Sequence, residues 1–330
     1  MFVILATFLA YISPYVSPEY AWFFSLFGMA FFWLLILNVF FIIFWLGAKK
    51  FYFLFSLACI ILGWGHVRSI IGFESTNDIR QEENISVMSF NCRSFYNFTD
   101  GKSTKKSILE LLKKTPVDIV CFQEFPRLAG LPQEVATSTK LPYYYKPKDV
   151  SLAIFSKYPI IGKATIDQGR NGSTYASIDY KGNAIDIYNI HLKSNRISDE
   201  ANKVIEEKDL REKRTWLGIK SVLGKIRATS STRVEQARKI ATHNQKSENA
   251  VVVCGDFNET PQSYVYRILS EGLKDSFCEK GFGMGSTYAG KIPALRIDFI
   301  LMSNQLQINE HQIIKTDVSD HYPLISNFEF

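Results

Sequence analysis

The chain has 330 residues, a formal net charge of +6 at pH 7 and five cysteines. An odd number of cysteines without a paired spacing predicts no disulfide framework, which excludes the small disulfide-stapled domains. Hydrophobic residues make up 47% of the chain. They are densest before residue 72, so an apolar N-terminal segment precedes a longer and more polar one.

Residues 1–71 contain almost no charge. Their only charged residues, with His counted as neutral, are Glu19, Lys49, Lys50 and Arg68. The uncharged run 21–46 is long enough for a helix to cross a hydrocarbon core of about 30 Å. We therefore predict an anchor of two or three transmembrane helices in residues 1–71. The spans lie near 21–46 and 51–71, with a third, short candidate at 1–13.

Lys49 and Lys50 lie between the two long candidate spans. The positive-inside rule places such a pair in the cytoplasm, so the rest of the chain is expected to be extracytoplasmic. A cleaved signal peptide would need a basic leading segment, which this sequence lacks. The prediction is a protein integral to the plasma (inner) membrane, with membrane lipids as partners. No protein partner can be inferred.

Residues 72–84 change abruptly to polar composition and predict a linker. The remaining 85–330 suit one large α/β domain. Apolar and β-branched runs of strand length predict its strands, and residues 104–113 have the spacing of an amphipathic helix. The predicted strands are 85–90, 118–122, 151–155, 175–180, 184–191, 250–254, 297–302 and 324–328.

Polar residues follow several of these strands. Glu124 comes directly after the second predicted strand, and Asp256 and Asn258 come after the strand at 250–254. Strand ends present such side chains to a cleft, and no cluster of cysteine or histidine ligands accompanies them. Oxygen-only ligation favours Mg²⁺ or Mn²⁺ over Zn²⁺.

Asp320 and His321 place a carboxylate and an imidazole side by side near the C-terminus. Phosphate esters are anions that repel hydroxide, so a cation and imidazoles around the phosphorus offset that repulsion. The combination predicts metal-assisted hydrolysis of a phosphoester.

Six short strings occur in an order that resembles the endonuclease/exonuclease/phosphatase superfamily, over roughly residues 84–330. That superfamily includes deoxyribonucleases, sphingomyelinases and inositol polyphosphate 5-phosphatases. The fold that the resemblance implies is a four-layer sandwich of two mixed β-sheets flanked by helices. The strings are 89–92 (SFNC), 118–124 (DIVCFQE), 189–192 (NIHL), 251–258 (VVVCGDFN), 296–299 (RIDF) and 318–323 (VSDHYP).

The resemblance also implies roles for single residues. Glu124 is the expected principal ligand of Mg²⁺ (or Mn²⁺), with Asn91 and Asp320 completing or supporting the coordination sphere. Asp256 would orient or deprotonate the attacking water, and Asn258 would hold a phosphate oxygen.

Two histidines complete the set that the resemblance implies. His191 and His321 would flank the phosphate and stabilise its developing charge, and His321 would also transfer a proton. Asp298 would orient one imidazole, with His321 preferred and His191 the alternative.

The segment 193–239 is strongly basic. It contains 13 Lys/Arg and 7 Asp/Glu, an excess equal to the net charge of the whole chain. Apolar residues recur at helical spacing between Trp216 and Ile226, which predicts a basic amphipathic helix. Such a helix suits an anionic membrane surface, packing on the domain surface, or a nucleic-acid backbone.

These features predict a membrane-anchored, Mg²⁺-dependent phosphoesterase that hydrolyses phosphodiester bonds in a lipid head group or a nucleic acid. One alternative is an endonuclease or exonuclease acting on extracytoplasmic DNA or RNA. A second is a non-catalytic pseudoenzyme that binds a phosphorylated ligand. The complete set of eight site residues argues against the pseudoenzyme, which would be expected to have lost some of them.

Overall fold

The computed structural model describes residues 1–74, 84–169, 171–194, 213–290 and 294–330, with the backbone alone for 213–215. Its strands build two six-stranded mixed sheets and one two-stranded ribbon. In chain order they are β1 (Ile71–Phe73), β2 (Ile85–Asn91), β3 (Ile119–Gln123), β4 (Tyr143–Tyr145), β5 (Leu152–Ser156), β6 (Ile160–Asp167), β7 (Ser173–Tyr180), β8 (Asn183–His191), β9 (Ala250–Asp256), β10 (Leu273–Asp275), β11 (Phe282–Met284), β12 (Asp298–Ser303), β13 (Gln307–Ile313) and β14 (Leu324–Glu329).

The first sheet has the strand order β13-β14-β2-β3-β5-β4, and the second has the order β10-β12-β9-β8-β7-β6. Pairs β2–β3 and β8–β9 are parallel, whereas the other pairs within these sheets are antiparallel. The parallel pairs bring the carboxyl ends of neighbouring strands to a common edge. Asn91, His191 and Asp256 lie at these ends, and Glu124 directly follows β3.

Three apolar clusters separate four layers. One lies between the sheets and includes Val87 and Val252, while two others lie on the outer faces under helices. The α/β fold of mixed sheets flanked by helices is therefore confirmed. The helices of this domain are Lys105–Lys114 and Leu131–Thr139 on one side, Lys213–Asn244 (the long helix) and Tyr264–Ser270 on the other, and the short Ser276–Lys280.

Each of the eight predicted strands overlaps an observed one, and the predicted helix at 104–113 is the helix Lys105–Lys114. The sequence did not indicate the two ribbon strands β1 and β11, nor β4, β6, β10 and β13 of the large sheets. Strands β4, β6 and β13 end the sheet orders or bury their side chains only in part, and β10 has three residues. Edge strands lack the long apolar run that makes a buried strand recognisable.

The N-terminal segment folds into short helices: Phe2–Ile12, Pro18–Ala21, Phe24–Met29, Phe31–Gly47, Phe53–Leu62 and Trp64–Arg68. They pack around a small cluster that includes Ala10, Phe31 and Val67. Within it the buried Asn38 amide donates to Thr7 Oγ1 at 2.8 Å. The opposite surfaces of these helices carry many exposed apolar side chains.

The predicted transmembrane helices at 21–46, 51–71 and 1–13 were wrong. Among the described residues, none of the helices has the length and apolarity needed to cross a membrane. The run 21–46 is divided at Ala30, and 51–71 is divided at Gly63. The longest piece, Phe31–Gly47, has 17 residues. At 1.5 Å per residue it rises roughly 25 Å, less than a hydrocarbon core of about 30 Å.

The N-terminal helices are joined to the α/β domain by specific contacts. Strand β1 pairs antiparallel with β11, so the predicted linker 72–84 begins inside a two-stranded ribbon. Its residues 75–83 lie outside the described part of the chain. Arg296 Nη1 donates to the Ser69 carbonyl at 2.9 Å, and Glu19 forms two hydrogen bonds with Arg238 at 3.0 and 2.7 Å.

The basic segment 193–239 is described only in part, because 195–212 and the side chains of 213–215 lie outside the described residues. From Lys213 the backbone is helical and continues to Asn244. Trp216 and Leu217 are exposed, Val222 and Leu223 are half-buried, and Ile226 is buried. The apolar stripe is therefore buried against the domain at Ile226 and exposed to solvent at Trp216.

Candidate active site

Three site residues are direct neighbours across the second sheet. His191 ends β8 opposite Asp256, which ends β9, and Asp256 pairs in turn with Asp298 at the start of β12. The preceding Gly255 has φ +140°, and a Cβ there would lie 1.9 Å from the Ile190 carbonyl oxygen. Only glycine allows β8 and β9 to approach so closely beside the site.

Asp256 is the centre of the site. Its Oδ2 accepts a hydrogen bond from Asn91 Nδ2 at 3.0 Å, and its Oδ1 accepts one from the Asn258 amide at 2.9 Å. The same Oδ2 lies 3.6 Å from His191 Nε2 and 3.7 Å from His321 Nε2. Burial, together with the Asp298 carboxylate, raises the pKa of Asp256 above its ordinary value, against the opposing effect of both histidines.

His321 is held by Asp298. Its Nδ1 lies 2.9 and 3.1 Å from the two Asp298 oxygens, so Nε2 is turned toward Asp256. Burial alone would lower the pKa of His321, but the Asp298 and Asp256 carboxylates raise it to about 10. The resemblance left two histidines open as the partner of Asp298, and the structure brings Asp298 to His321.

Glu124 and Asn258 both follow the ends of central strands and adopt left-handed backbone conformations, with φ of 52° and 51°. Such conformations are strained for residues other than glycine, and they concentrate at functional sites. The Glu124 side chain is 26% exposed, and its Oε1 lies 4.0 Å from His191 Nε2. Asn258 Nδ2 donates to the Leu192 carbonyl at 3.1 Å.

Asn91, Asp320 and Arg93 form the other side of the site. Asn91 Oδ1 accepts a hydrogen bond from the Arg93 amide at 3.2 Å, and Arg93 Nε lies 3.3 Å from Asp320 Oδ2. Ser319 Oγ donates to the Asn91 carbonyl at 2.7 Å, which joins the C-terminal string to β2. Arg93 puts a cation beside the predicted metal ligands, and no sequence motif singled it out.

Asn171 was also missed. It lies in the segment before β7, and its Nδ2 is 2.9 Å from His191 Nε2 and 3.2 Å from the Leu192 carbonyl. The only available signal was an Asn-Gly pair between two strands, which is a common turn pattern. Asn171 thus lies directly beside the His191 imidazole, on its Nε2 side.

Two buried polar groups beneath the site were not predicted as positioning residues. Gln123 Nε2 donates to Asn189 Oδ1 at 2.8 Å, which connects the residue before Glu124 to β8 across the two sheets. Arg233 of the long helix donates to the Lys193 carbonyl at 3.0 Å and pairs with Glu259 at 2.7 Å. Arg233 thus ties together the segments that follow His191 and Asn258.

The donor set suits a divalent cation. Asp256, Asp298 and His321 offer ligand atoms that lie within 4.8 Å of one another. Two of these three residues already contact each other, because both Asp298 oxygens lie within hydrogen-bonding distance of His321 Nδ1. The carboxylates of Glu124 and Asp320 are less buried, with side chains 26% and 20% exposed. Their hard oxygens, with the Asn91 amide oxygen, are ligands of the type that Mg²⁺ prefers.

Solved structures of other proteins share the fold at low identity. An endonuclease/exonuclease/phosphatase from Beutenbergia cavernae is 13% identical, with a TM-score of 0.56 over 75% of this chain and 72% of that one. One from Bacteroides vulgatus is 20% identical, with a TM-score of 0.54 over 75% and 99%. Humanized D. rerio TDP2 is 16% identical, with a TM-score of 0.51 over 75% and 100%. No curated protein matches the sequence.

Family models match both parts of the chain. A domain of unknown function (DUF8431) matches residues 1–70, and the Endonuclease/Exonuclease/phosphatase family matches residues 88–321. The second match covers well over half of the chain and includes every predicted site residue. Members of this family are generally hydrolases of phosphoester bonds and typically use a divalent metal. The chain belongs to the endonuclease/exonuclease/phosphatase family.

Proposed function

We propose that this protein is a Mg²⁺-dependent phosphodiesterase associated with a membrane. The observation that supports the proposal is the arrangement around Asp256. One of its buried carboxylate oxygens faces the imidazoles of His191 and His321 and accepts a hydrogen bond from the Asn91 side-chain amide. A site of this kind combines a base, two cationic or donor groups and oxygen ligands for a metal. A pseudoenzyme would have no need of all of them.

Asp256 is proposed to take a proton from the attacking water. Its raised pKa makes it a stronger base than an ordinary aspartate, and the Asn91 and Asn258 contacts fix the direction of its oxygens. The water oxygen bonds to phosphorus while the bond to the leaving oxygen breaks. Asn258 and Asn171 are proposed to hold the phosphate oxygens through their side-chain amides.

His321 is proposed to stabilise the developing charge and to give a proton to the leaving oxygen. Asp298 holds Nδ1 and keeps the imidazole protonated, so that Nε2–H faces the reacting group. A metal held by Glu124, Asp320 and Asn91 would supply additional positive charge to the phosphate. His191 Nε2 lies 3.6 Å from the same Asp256 oxygen, and we propose that this imidazole also contacts the phosphate.

The test is hydrolysis of a p-nitrophenyl phosphodiester by the full chain with Mg²⁺. His321→Ala should lower kcat by roughly two to four powers of ten, the usual contribution of a general acid or base. A matched control is His243→Gln, because His243 lies in the last turn of the long helix, where its Nδ1 is 2.8 Å from Tyr188 Oη, away from the site. Equal rates for wild type and His321→Ala would contradict the assignment.

Membrane association is proposed from the apolar surface of the N-terminal helices. Phe2, Phe40, Ile43 and Phe51 are 80%, 55%, 66% and 81% exposed. Exposed apolar surfaces of this extent mark sites where a protein contacts another protein or a membrane. We propose lipid as the partner, because these side chains carry no charge. The extracytoplasmic location stays a separate prediction, because the positive-inside rule concerns loops between spanning helices and no described helix is long and apolar enough to span. Digestion by protease added to intact spheroplasts would support it, and protection would contradict it.

A nuclease is the second candidate, and one observation favours it. Lys220 and Arg227 are exposed on the long helix, and a basic helix can neutralise backbone phosphates. Nucleases of this kind depend on phosphate contacts more than on base contacts. Cleavage of plasmid DNA at rates above those for lipid phosphodiesters would favour this candidate.

A further inference from the structure

Ser69 and Ile70 lie where the N-terminal helices end, directly after the short helix Trp64–Arg68. Both residues are buried. Ile70 and Val67 belong to the apolar cluster of the N-terminal helices, so packing holds the backbone on both sides of Ser69. Three separate segments of the α/β domain donate hydrogen bonds to Ser69 and Ile70.

The first of these segments follows Asn258. Gln262, four residues further along, is buried, and its Nε2 donates to Ser69 Oγ at 2.8 Å. The same nitrogen lies 3.4 Å from the His66 carbonyl oxygen. The Ser69 hydroxyl itself donates to that carbonyl at 2.8 Å, which fixes the direction of its oxygen. The segment after Asn258 is therefore attached to the end of the N-terminal helices.

The second segment leads into Asp298. Arg296, two residues before it, is buried, and its Nη1 donates to the Ser69 carbonyl at 2.9 Å. The Nη2 of the same side chain pairs with the buried Asp275 carboxylate at 2.6 Å. A guanidinium is planar and rigid, so it holds both partners in one geometry. The backbone in front of Asp298 is thereby fixed to Ser69.

The third segment begins at Gly285, whose amide donates to the Ile70 carbonyl at 2.8 Å. Two residues further along, Thr287 Oγ1 accepts a hydrogen bond from the Asp298 amide at 3.1 Å. The Thr287 carbonyl accepts one from the amide of Tyr322, the residue after the active-site histidine, at 2.8 Å. This segment therefore connects Ile70 to both members of the carboxylate–imidazole pair of the site.

We infer that Ser69 and Ile70 are positioning residues through which the N-terminal helices set the geometry of the active site. The segments that they hold lead to Asn258 and Asp298, and a misplacement of about 1 Å can lower a rate about a hundred-fold. This inference rests on the phosphodiesterase function proposed above. It gives the N-terminal helices a role in turnover in addition to the proposed membrane association.

The test compares two substitutions of Ser69 in the full chain, with p-nitrophenyl phosphodiester and Mg²⁺. Ser69→Ala removes the oxygen that accepts from Gln262, whereas Ser69→Thr keeps the hydroxyl and adds a methyl group. At a temperature where both variants are folded, Ser69→Ala should lower kcat by about ten-fold, and Ser69→Thr should retain most of the activity. A role in packing alone would give the opposite order, because an added methyl group disturbs a buried position.

Arg68→Gln is the matched control. Arg68 Nη2 donates to the Cys278 carbonyl at 3.0 Å, so it joins the same two parts of the chain as Ser69 does. Its partner lies on the helix Ser276–Lys280, which carries none of the site residues. The substitution should leave kcat unchanged. Equal losses of kcat in Arg68→Gln and Ser69→Ala would overturn the inference.

Amide hydrogen exchange, followed by mass spectrometry, tests the positioning independently of activity. In Ser69→Ala, exchange should become faster in residues 257–262 and 294–298 and stay as in wild type in β2 and β3. Unchanged exchange in those two segments, or a wild-type kcat for Ser69→Ala, would overturn the inference. A wild type that hydrolyses no phosphodiester would contradict the proposed function, and the exchange rates would then decide whether Ser69 holds the segments.

Discussion

Arg233 and Glu259 form a buried ion pair, with Arg233 Nε 2.7 Å from Glu259 Oε1 and side chains only 2% and 4% exposed. The pair joins the long helix to the residue that follows Asn258. Removal of one partner leaves an uncompensated buried charge, which typically costs about 3–5 kcal/mol. Glu259→Ala should therefore lower both the thermal stability and kcat.

Arg238 supplies the matched comparison for this prediction. It lies on the same helix and pairs with Glu19, but the two side chains are 48% and 33% exposed. Exposed pairs contribute about 0–1 kcal/mol, so Glu19→Ala should change thermal unfolding far less than Glu259→Ala. Similar losses for the two variants would contradict the role given to the Arg233–Glu259 pair.

Asp298→Asn tests how the active-site imidazole is oriented. The carboxylate contacts His321 Nδ1 through both oxygens, and an amide cannot reproduce both contacts with the same tautomer. We expect kcat to fall by at least about ten-fold with a smaller change in KM, because the effect acts on the reacting groups. A change confined to KM would indicate that Asp298 acts in substrate binding instead.

His311 should make stability depend on pH. Burial first, and then the Arg296 charge, lower its pKa to about 3. In the unfolded chain His311 therefore binds a proton as pH falls through about 6.5, whereas in the folded protein it binds one only at much lower pH. Stability is present above that pH and is lost as pH falls, by up to about 1.4 kcal/mol per unit. His311→Gln should flatten this slope between pH 6.5 and 4.5, as measured by urea unfolding.

Substitutions in the long helix can show whether it binds lipid or nucleic acid. Lys220 and Arg227 are exposed, and each basic residue near an anionic surface contributes about 1 kcal/mol. Lys220→Gln with Arg227→Gln should weaken binding to vesicles that contain anionic lipid, and added salt should weaken binding further. If the double variant binds vesicles as the wild type does but loses retardation of DNA, the helix contacts nucleic acid.

The central strands could be predicted because they are long apolar runs, and polar residues at their ends marked the site. Arg233 and Asn171 could not be predicted, since their contacts depend on tertiary packing between distant segments. Residues 1–71 were misinterpreted for another reason. Their composition indicates helices in an apolar environment, but it does not show that the helices are divided at Ala30 and Gly63. At Gly63 a Cβ would lie 2.0 Å from the Tyr11 hydroxyl, a contact invisible in sequence.

The central claim is metal-dependent hydrolysis at the ends of the central strands. The most direct measurement is the rate of p-nitrophenyl phosphodiester hydrolysis by the full chain as Mg²⁺ is titrated, for wild type and Glu124→Gln. We expect activity to vanish with a chelator, to return with Mg²⁺, and to require a much higher Mg²⁺ concentration in Glu124→Gln, which exchanges a charged ligand for a neutral one. Activity that persists in the chelator, or identical Mg²⁺ curves for the two proteins, would contradict the account.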